Sequence, residues 1–155
     1  RNTRAEAVYL VAPGLVATPE MRAALVQEPS IAEVIKAWDD LTVALVGVGS
    51  LEPSTLLRQS GNAIADAEEH RLRDQGAIGD VCMRFFDGDG RHITSDLDDR
   101  VLGIGVDALR AVPRRVGVAG GQRKWSAIRA ALLGGWLSVL ITDQATAAEL
   151  VRDPA

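Results

Sequence analysis

A chain of 155 residues is long enough for one domain with a sizeable hydrophobic core. Hydrophobic residues make up 47% of it and aromatic residues 4%, which favours an aliphatic core in a layered α/β domain. The net charge of −4 argues against this chain binding a nucleic-acid backbone by itself. The single cysteine, Cys82, permits no internal disulfide, and the sequence shows no signal-peptide pattern and no apolar run of transmembrane length. We therefore expect a cytoplasmic domain.

Apolar runs of strand length alternate with helical patterns along the chain. In the first half of the chain the sequence predicts a strand at residues 8–11, helices from Thr18 and from Ser30 to Trp38, a strand at 43–49 and an irregular helical segment at 52–75. In the middle it predicts a strand at 81–86, a turn at 87–90 leading into 91–93, a strand at 101–104 and a helix at 106–112. The last part is predicted to contain a strand at 116–120, a helix from Arg123 to Gly134, a strand at 137–142 and a helix from Asp143 to Val151. This alternation predicts a mostly parallel sheet with helices on both faces, and the segment 81–93 is its expected antiparallel exception.

Three of the predicted helices begin with a capping signal. Thr18 stands before Pro19, and proline is favoured at the first helical position. Ser30 and Glu33 have the spacing of a capping box. Asp143 is expected to cap the last helix.

A glycine pair joins the predicted strand at 116–120 to the helix that follows. Gly120 and Gly121 let the backbone turn tightly and approach a ligand, because neither residue has a Cβ. The helix start offers unpaired N–H groups and the positive end of its dipole, and Lys124 adds a positive charge in the first turn. A phosphate fits this arrangement. The sequence is neither a Walker A loop nor a dinucleotide fingerprint, and a tight connection with a solvated lysine is the alternative interpretation.

The predicted strand ends are expected to meet at one edge of the sheet, where open α/β sheets bind ligands. The candidate ligand-binding residues are Gly47, Gly49, Ser50, Asp80, Gly120, Gly121 and Lys124. We expect the glycine backbone and Lys124 to hold the phosphate of a small phosphorylated polyol, and Asp80 and Ser50 to bind its hydroxyl groups. A turn-stabilising role is the alternative for Asp80, while helix capping is the favoured role of Asp143.

Residues that would indicate catalysis are few. His70 and His92 have no partner at a catalytic spacing, so we expect both to be exposed surface residues. Cys82 is expected to pack as a small hydrophobic residue, and Arg84 to form an interface or surface ion pair. The acidic turn at 87–90 lacks the further ligands and the terminal glutamate of an EF-hand. No His/Cys cluster has metal-ligand spacing, and no serine lies in a nucleophile elbow. We therefore predict no catalytic residue, no metal and no cofactor.

Seven short motifs follow one another between residues 8 and 151. They are Pro29-Ser-Ile-Ala-Glu-Val34, Val43-Ala-Leu-Val-Gly-Val-Gly-Ser50, Gly76-Ala-Ile-Gly-Asp-Val81, Phe85-Phe-Asp87, Asp99-Arg-Val-Leu-Gly-Ile104, Val118-Ala-Gly-Gly-Gln-Arg-Lys124 and Leu140-Ile-Thr-Asp143. Each motif alone is weakly specific. Together, in this order, they resemble the effector domain of the SorC/DeoR-type bacterial sugar-responsive transcriptional regulators.

The resemblance implies a three-layer Rossmann-like fold related to sugar-phosphate isomerases and CoA transferases. It implies that the domain binds a phosphorylated sugar and thereby shifts the DNA affinity of a separate N-terminal helix-turn-helix. It assigns Lys124 and Gly121 to the phosphate, Asp80 to a sugar hydroxyl, and Gly47 and Gly49 to the pocket floor. It also implies a homo-oligomer, as a dimer or tetramer, and no membrane partner.

Members of that family begin with a helix-turn-helix, followed by a first strand–helix unit whose loop helps to hold the phosphate. Neither is recognisable in this sequence. Residues 1–155 are therefore interpreted as one effector-binding domain that is incomplete at its N-terminus and contacts DNA only through a missing N-terminal domain.

We predict a regulatory domain that senses a phosphorylated sugar and controls sugar-metabolism genes, and not an enzyme. The alternative is a sugar-phosphate isomerase- or CoA transferase-like enzyme of the same fold, which needs a positioned base or a nucleophilic carboxylate. Asp80 is the one good candidate for that role. Glu68 or His70 beside Asp80 in the pocket would favour the enzyme. A nucleotide-binding domain is the third possibility, against which the missing dinucleotide fingerprint argues.

Overall fold

The computed structural model describes residues 6–52 and 64–152. The helices are α1 (Pro19–Leu25), α2 (Pro29–Lys36), α3 (Asp66–Asp74), α4 (Val106–Ala111), α5 (Trp125–Leu133) and α6 (Gln144–Arg152), with 3-10 turns at Ala37–Asp40 and Gln122–Lys124. The strands are β1 (Val43–Gly47), β2 (Gly49–Ser50), β3 (Gly79–Val81), β4 (Arg84–Phe86), β5 (Arg114–Val118) and β6 (Val139–Ile141). Helix α3 falls within the helical segment predicted at 52–75, and residues 53–63 of that prediction lie outside the described residues.

The strands form two sheets of three strands each. In the first, β5 lies between β1 and β6, and both pairings are parallel. In the second, β3 lies between β2 and β4, and both pairings are antiparallel. The domain is therefore an α/β domain with a parallel sheet, as predicted. The antiparallel part is larger than the expected exception, because the chain leaves the parallel sheet after β1 and pairs Gly49 with Asp80.

Three predicted strands are wrong or incomplete. Residues 8–11 form no strand, and the side chains of Val8 and Val11 are largely exposed. The strand predicted at 101–104 is reduced to a single antiparallel bridge between Leu15 and Val101. The run predicted as one strand at 81–86 is divided between β3 and β4, because the two residues between them turn the chain with positive φ angles.

The capping predictions have different outcomes. The Thr18 side chain accepts a hydrogen bond from the third residue of α1, which confirms the predicted cap. Oδ1 of Asp143 accepts the backbone N–H of Thr146 at 2.9 Å, which confirms the cap of α6. The capping box at Ser30 is wrong, because α2 begins at Pro29 and its N-cap makes no side-chain hydrogen bond. Proline, with its fixed φ, starts the helix one residue earlier.

The core consists of two clusters of buried side chains. The first cluster comprises Val48, Val81, Phe86, Leu109, Ala119, Ala127, Ile128, Ala130, Ala131, Trp136 and Leu137, and the second comprises Leu51, Leu72, Ala77, Phe85 and Leu97. Trp136 is fully buried, stacks in a tilted arrangement with Phe86 at 5.2 Å, and donates its indole N–H to the Gly90 carbonyl at 2.8 Å. An indole buried in this way satisfies its polar atom as well as its apolar surface.

The parallel sheet packs mainly through one face. Ala44, Val46 and Leu140 on that face contact the first cluster. On the opposite face four apolar side chains are at least half exposed; they are Val43, Leu45, Val118 and Ile141. Within residues 6–52 and 64–152 the prediction of helices on both faces therefore does not hold.

Candidate functional site

The candidate site lies where the chain passes from the parallel sheet to the antiparallel sheet. Strand β1 ends at Gly47, the buried Val48 follows, and β2 begins at Gly49. Strand β3 lies beside β2, so that Gly49 pairs with Asp80 and Ser50 pairs with Gly79. The carboxyl end of a parallel strand thus meets a short antiparallel ladder at this point.

Gly49 must be a glycine because the Asp80 side chain lies against it. A Cβ built on Gly49 would come within 1.9 Å of Oδ1 of Asp80. By contrast, a Cβ built on Gly47 has no atom within 4 Å. The missing side chain at Gly49 therefore gives the carboxylate its position, whereas the position of Gly47 is open.

Asp80 holds a turn of unusual backbone geometry. Its Oδ2 accepts the backbone N–H of Met83 at 2.9 Å. Cys82 and Met83, which form the turn between β3 and β4, have φ angles of 53° and 61°. Residues other than glycine rarely adopt this left-handed region, and the hydrogen bond to Asp80 helps to stabilise it. The turn-stabilising role considered for Asp80 is therefore present in the structure.

Burial controls the charge of Asp80. Loss of solvent around the carboxyl group raises its pKa above the ordinary aspartate value, because water no longer stabilises the anion. The Met83 N–H and the positive charge of Lys124 both lower the pKa, and they offset only part of this effect. Asp80 and Lys124 are thus close enough to interact electrostatically.

Lys124 lies at the end of the 3-10 turn that leads into α5, and it is half-buried. Its Nζ donates a hydrogen bond to the Val48 carbonyl at 2.7 Å. This bond connects the start of α5 to the junction between β1 and β2. Lys124 is therefore anchored to the protein by one hydrogen bond while it remains partly exposed.

The glycine pair contacts the start of α6. The Gly121 N–H donates to Oδ2 of Asp143 at 2.9 Å and to Oγ1 of Thr146 at 3.0 Å. A Cβ on Gly120 would lie 2.2 Å from Oδ2 of Asp143, and Gly121 has a φ of 91°. The Thr146 N–H and the Thr146 hydroxyl, and to a smaller extent the Gly121 N–H, donate hydrogen bonds to the Asp143 carboxylate and hold its pKa below the ordinary aspartate value. Gly120 and Gly121 thus allow a close approach of two helix starts.

A cavity of about 470 Å³ opens beside the junction of the two sheets. It brings together five of the seven predicted site residues, which are Gly47, Gly49, Ser50, Asp80 and Lys124. Gly120 and Gly121 are not among its lining residues. The lining residues that sequence reasoning missed are Leu45, Val46, Val48, Leu51, Ile64, Cys82, Met83 and Phe85. No pattern in the sequence marks these residues, although Val46 and Val48 flank the predicted Gly47.

The residues that would have favoured an enzyme lie elsewhere. Glu68 forms an ion pair with Arg100 and accepts the N–H of Ala65, and His70 is exposed on α3. Neither residue lines the cavity around Asp80. In the described part of the chain, no group of three or more His, Cys, Asp or Glu side chains is arranged to hold a metal ion.

Two further polar residues differ from their predictions. Arg84 is buried, and its guanidinium group bonds to the Asp98 carboxylate at 2.9 Å and to the Ile104 carbonyl at 3.1 Å. His92 is half-buried, with Nε2 3.2 Å from the same Asp98 carboxylate. The ion pair predicted for Arg84 is present, but the surface positions predicted for both residues are wrong, because Asp98 provides a common partner for the two side chains.

The fold and the cavity define an α/β ligand-binding domain. Over residues 1–152 the chain matches the protein family described as "Putative sugar-binding domain". The chain belongs to this family, the sugar-binding domain of SorC/DeoR-type transcriptional regulators. The recognition made from the sequence motifs is thereby confirmed.

Individual relatives agree with this assignment. The chain is 36% identical over 145 residues to the deoxyribonucleoside regulator of Bacillus subtilis, covering 94% of this chain and 46% of the relative. It resembles the structure of a DeoR family transcriptional regulator from Listeria monocytogenes, with a TM-score of 0.82, 31% identity, and coverage of 90% of this chain and 56% of that one. It also resembles the structure of the full-length sorbitol operon regulator SorC from Klebsiella pneumoniae, with a TM-score of 0.80 and 30% identity. That match covers 90% of this chain and 45% of the SorC chain.

These relatives are transcriptional regulators and not enzymes, in agreement with the non-enzymatic prediction. The chain spans about half the length of the curated relatives it matches. Across the described residues, no helix combines the length and the apolar character needed to cross a bilayer.

Proposed function

We propose that the cavity at the end of β1 binds a phosphorylated sugar, and that this binding regulates the activity of a DNA-binding transcriptional regulator. The observation that supports the proposal is the convergence of a lysine and an aspartate on one cavity from separate elements. Lys124 comes from the start of α5 and Asp80 from β3, and both line the cavity beside the glycines of the β1–β2 junction. A cation and an acceptor side by side suit a ligand that carries both an anion and hydroxyl groups.

Each predicted residue has a distinct role in this proposal. The Lys124 ammonium binds the phosphate, since one of its three N–H donors is used by the Val48 carbonyl and two remain. Asp80 accepts a hydrogen bond from a sugar hydroxyl through the oxygen that does not bind Met83. Ser50 binds a second hydroxyl, and Gly47 leaves the cavity floor open.

Gly120 and Gly121 contribute to the site through the backbone. Since Asp143 and Thr146 both accept the Gly121 N–H, the glycine turn is fixed against α6. The Lys124 N–H in turn donates to the Gly121 carbonyl at 2.9 Å. In this proposal the glycine pair positions Lys124 and thereby orients its ammonium towards the cavity.

The experiment is a titration of the full-length protein with a panel of sugar phosphates, comparing the wild type with Lys124→Ala and Arg123→Ala. Arg123 is the matched control, because it is the neighbouring cation, is exposed and does not line the cavity. Loss of a hydrogen bond to a charged group costs about 1.5–3 kcal/mol, so Lys124→Ala should weaken binding about tenfold to hundredfold. Arg123→Ala should bind as the wild type does.

The same titration separates binding from folding. Lys124→Ala also loses the bond to Val48, so its melting temperature should fall by a few degrees, about 2–4 °C for each 1 kcal/mol lost. Equal weakening by both variants would indicate a diffuse electrostatic effect and contradict the assigned role. Turnover of a sugar phosphate, detected as a new product by NMR, would support the enzyme instead.

A further inference from the structure

Arg84 lies directly behind the wall of the cavity at the end of β1. Its neighbours Met83 and Phe85 both line the cavity, and Arg84 itself does not. Arg84 and Phe85 are successive residues of β4, and successive side chains of a strand point to opposite faces. The Arg84 side chain is only 5% exposed, so its charge and its N–H donors need partners within the protein.

The guanidinium group of Arg84 bonds to a single loop, residues 98–104. Nε donates to the Ile104 carbonyl at 3.1 Å, and one terminal nitrogen donates to the Gly103 carbonyl at 3.2 Å. The other terminal nitrogen donates to the carbonyl and to the carboxylate of Asp98, at 3.1 Å and 2.9 Å. The planar guanidinium group thus connects β4 to both ends of this loop.

The loop is itself attached to two other parts of the domain. The Val16 N–H donates to the Arg100 carbonyl at 3.1 Å, and the Leu102 N–H donates to the Gly14 carbonyl at 2.9 Å. Arg100 also forms an ion pair with Glu68 of α3. The loop therefore offers the guanidinium group a fixed point of attachment.

The turn between β3 and β4 is the part of the wall that depends on such an attachment. Cys82 and Met83 have φ angles of 53° and 61°, a region that residues with a side chain rarely adopt. Cys82 is exposed and Met83 is half-buried, so burial contributes little to holding the turn. The Asp80 carboxylate holds it on one side through the Met83 N–H, and Arg84, the next residue, holds it on the other.

We propose that Arg84 is a positioning residue of the ligand cavity, which holds the turn between β3 and β4 in the conformation that presents Met83 and the Asp80 carboxylate to a sugar. A wall that is ordered before the ligand arrives lowers the entropy cost of binding. This inference rests on the proposed function, and it adds the residue that keeps the cavity wall in place.

The test compares Arg84→Lys with Arg100→Lys in the full-length protein. Lysine keeps the positive charge, but its single nitrogen cannot reach Asp98, Gly103 and Ile104 together as a guanidinium group does. Arg100 is the matched control, since it too is an arginine largely removed from solvent, with a carboxylate and a backbone carbonyl as partners. Both substitutions should lower the melting temperature, so a loss of stability alone does not separate them.

Hydrogen exchange of the Met83 N–H, measured without any ligand, is the deciding readout. This N–H is bonded to Asp80 as long as the turn keeps its conformation. The N–H of Ile128, a fully buried residue of α5, serves as the reference for unfolding of the whole domain. Relative to Ile128, Arg84→Lys should speed exchange at Met83 about tenfold, the effect of losing one or two ordinary hydrogen bonds.

Arg100→Lys should change the exchange at Met83 and Ile128 in the same proportion. An equal change at these two residues in Arg84→Lys would overturn the positioning role. Should Arg84→Lys fail to fold, Asp98→Asn is the milder variant for the same measurement. It weakens one bond of the guanidinium group and should speed exchange at Met83 about threefold relative to Ile128.

Ligand affinity provides the second readout. Calorimetric titrations would use inorganic phosphate, glucose 6-phosphate, fructose 6-phosphate, ribose 5-phosphate and 2-deoxyribose 5-phosphate. Arg84→Lys should weaken about tenfold each sugar phosphate that the wild type binds, because the sugar contacts the wall. It should leave the affinity for inorganic phosphate unchanged, because that anion binds at Lys124. Arg100→Lys should leave every affinity unchanged.

The outcomes distinguish this inference from the proposed function. If a sugar phosphate binds the wild type and Arg84→Lys equally well, the positioning role is overturned and the proposed function stands. If no sugar phosphate of the panel binds more tightly than inorganic phosphate, the proposed function loses its support from this panel. Faster exchange at Met83 in Arg84→Lys would in that case still support the hold of Arg84 on the turn, and unchanged exchange would overturn it.

Discussion

The contact between Gly49 and Asp80 can be tested by the substitution Gly49→Ala, which adds a single methyl group. Gly49→Ala places Cβ 1.9 Å from Oδ1 and 3.0 Å from Cγ of Asp80, so the carboxylate must move. It does not move freely, because its other oxygen accepts the Met83 N–H. That hydrogen bond supports a turn in which Cys82 and Met83 both have positive φ angles. The substitution should therefore disturb the carboxylate and the turn together.

The expected cost follows from overpacking. An extra methyl group forced into a packed position costs about 1–3 kcal/mol. In a domain of this size each 1 kcal/mol lowers the melting temperature by about 2–4 °C, so Gly49→Ala should lower it by roughly 2–12 °C.

Gly47→Ala is the matched control for this measurement. Gly47 also lines the cavity, but its Cβ would have no atom within 4 Å, and its φ lies outside the left-handed region. A compatible glycine-to-alanine change stabilises a protein by about 0.4–1 kcal/mol, since it restricts the unfolded chain. Thermal and urea unfolding of both variants would measure the difference. Melting temperatures within 1 °C of each other would refute the assigned contact between Gly49 and Asp80.

Two more substitutions test other parts of the structure. Asp80→Asn should increase the free energy of unfolding at neutral pH. Burial raises the pKa of Asp80 in the folded state, so the protonated carboxyl stabilises the fold below the ordinary aspartate pKa. That stability is lost as the pH rises through the raised pKa of the folded state, and the neutral amide of asparagine does not lose it. The advantage of the variant in urea unfolding should shrink as the pH falls towards about 3.9, and an advantage independent of pH would contradict this cause. Gly90→Ala should strongly destabilise the folded protein, because φ at Gly90 is +75° and the new Cβ would lie 2.2 Å from the Ala130 carbonyl oxygen. Gly88→Ala is the control: its Cβ would meet no atom within 4 Å, so this variant should melt as the wild type does. Equal melting temperatures of these two variants would contradict the close packing of Gly90.

The sequence predicts the parallel sheet well because the signal is local. Strands β1, β5 and β6 all fall within or overlap continuous apolar runs, which are typical of buried parallel strands. Thr18 and Asp143 were predictable as caps for the same reason, since each contacts a backbone N–H three residues away. Errors at these strands concern their ends, by one or two residues.

Strands that depend on a distant partner were not predictable in this way. Residues 8–11 have the composition of a strand, but no neighbouring strand pairs with them in the described structure, and Tyr9 is 75% exposed. The turn at Cys82 and Met83 contains no glycine, asparagine or aspartate, the residues that usually indicate positive φ angles. Asp80 supplies the stabilising contact to the N–H of Met83, three residues along the chain, and the turn-stabilising role considered for Asp80 is the sign of it in the sequence.

The candidate site was predictable to the extent that topology determines it. The rule that ligands bind at the carboxyl ends of parallel strands brings Gly47 and Lys124 together correctly. Gly121 does not line the cavity, and its N–H is bound by Asp143 and Thr146, more than twenty residues later in the chain. The apolar side of the cavity was missed because core and lining residues have the same composition.

The bond from Lys124 to Val48 explains why a lysine in this position suits a binding site better than a free surface lysine. A flexible side chain loses rotamer entropy when it binds a ligand, at a cost of about 0.5–1.5 kcal/mol. In this structure the Val48 carbonyl has already fixed the ammonium group at 2.7 Å, so most of that cost is met during folding. Two N–H donors remain for an anion, and the positive charge also lowers the pKa of the neighbouring Asp80 carboxyl. Because binding a phosphate at Lys124 would neutralise that charge, the ligand should also favour protonation of Asp80, which couples the two polar groups of the cavity.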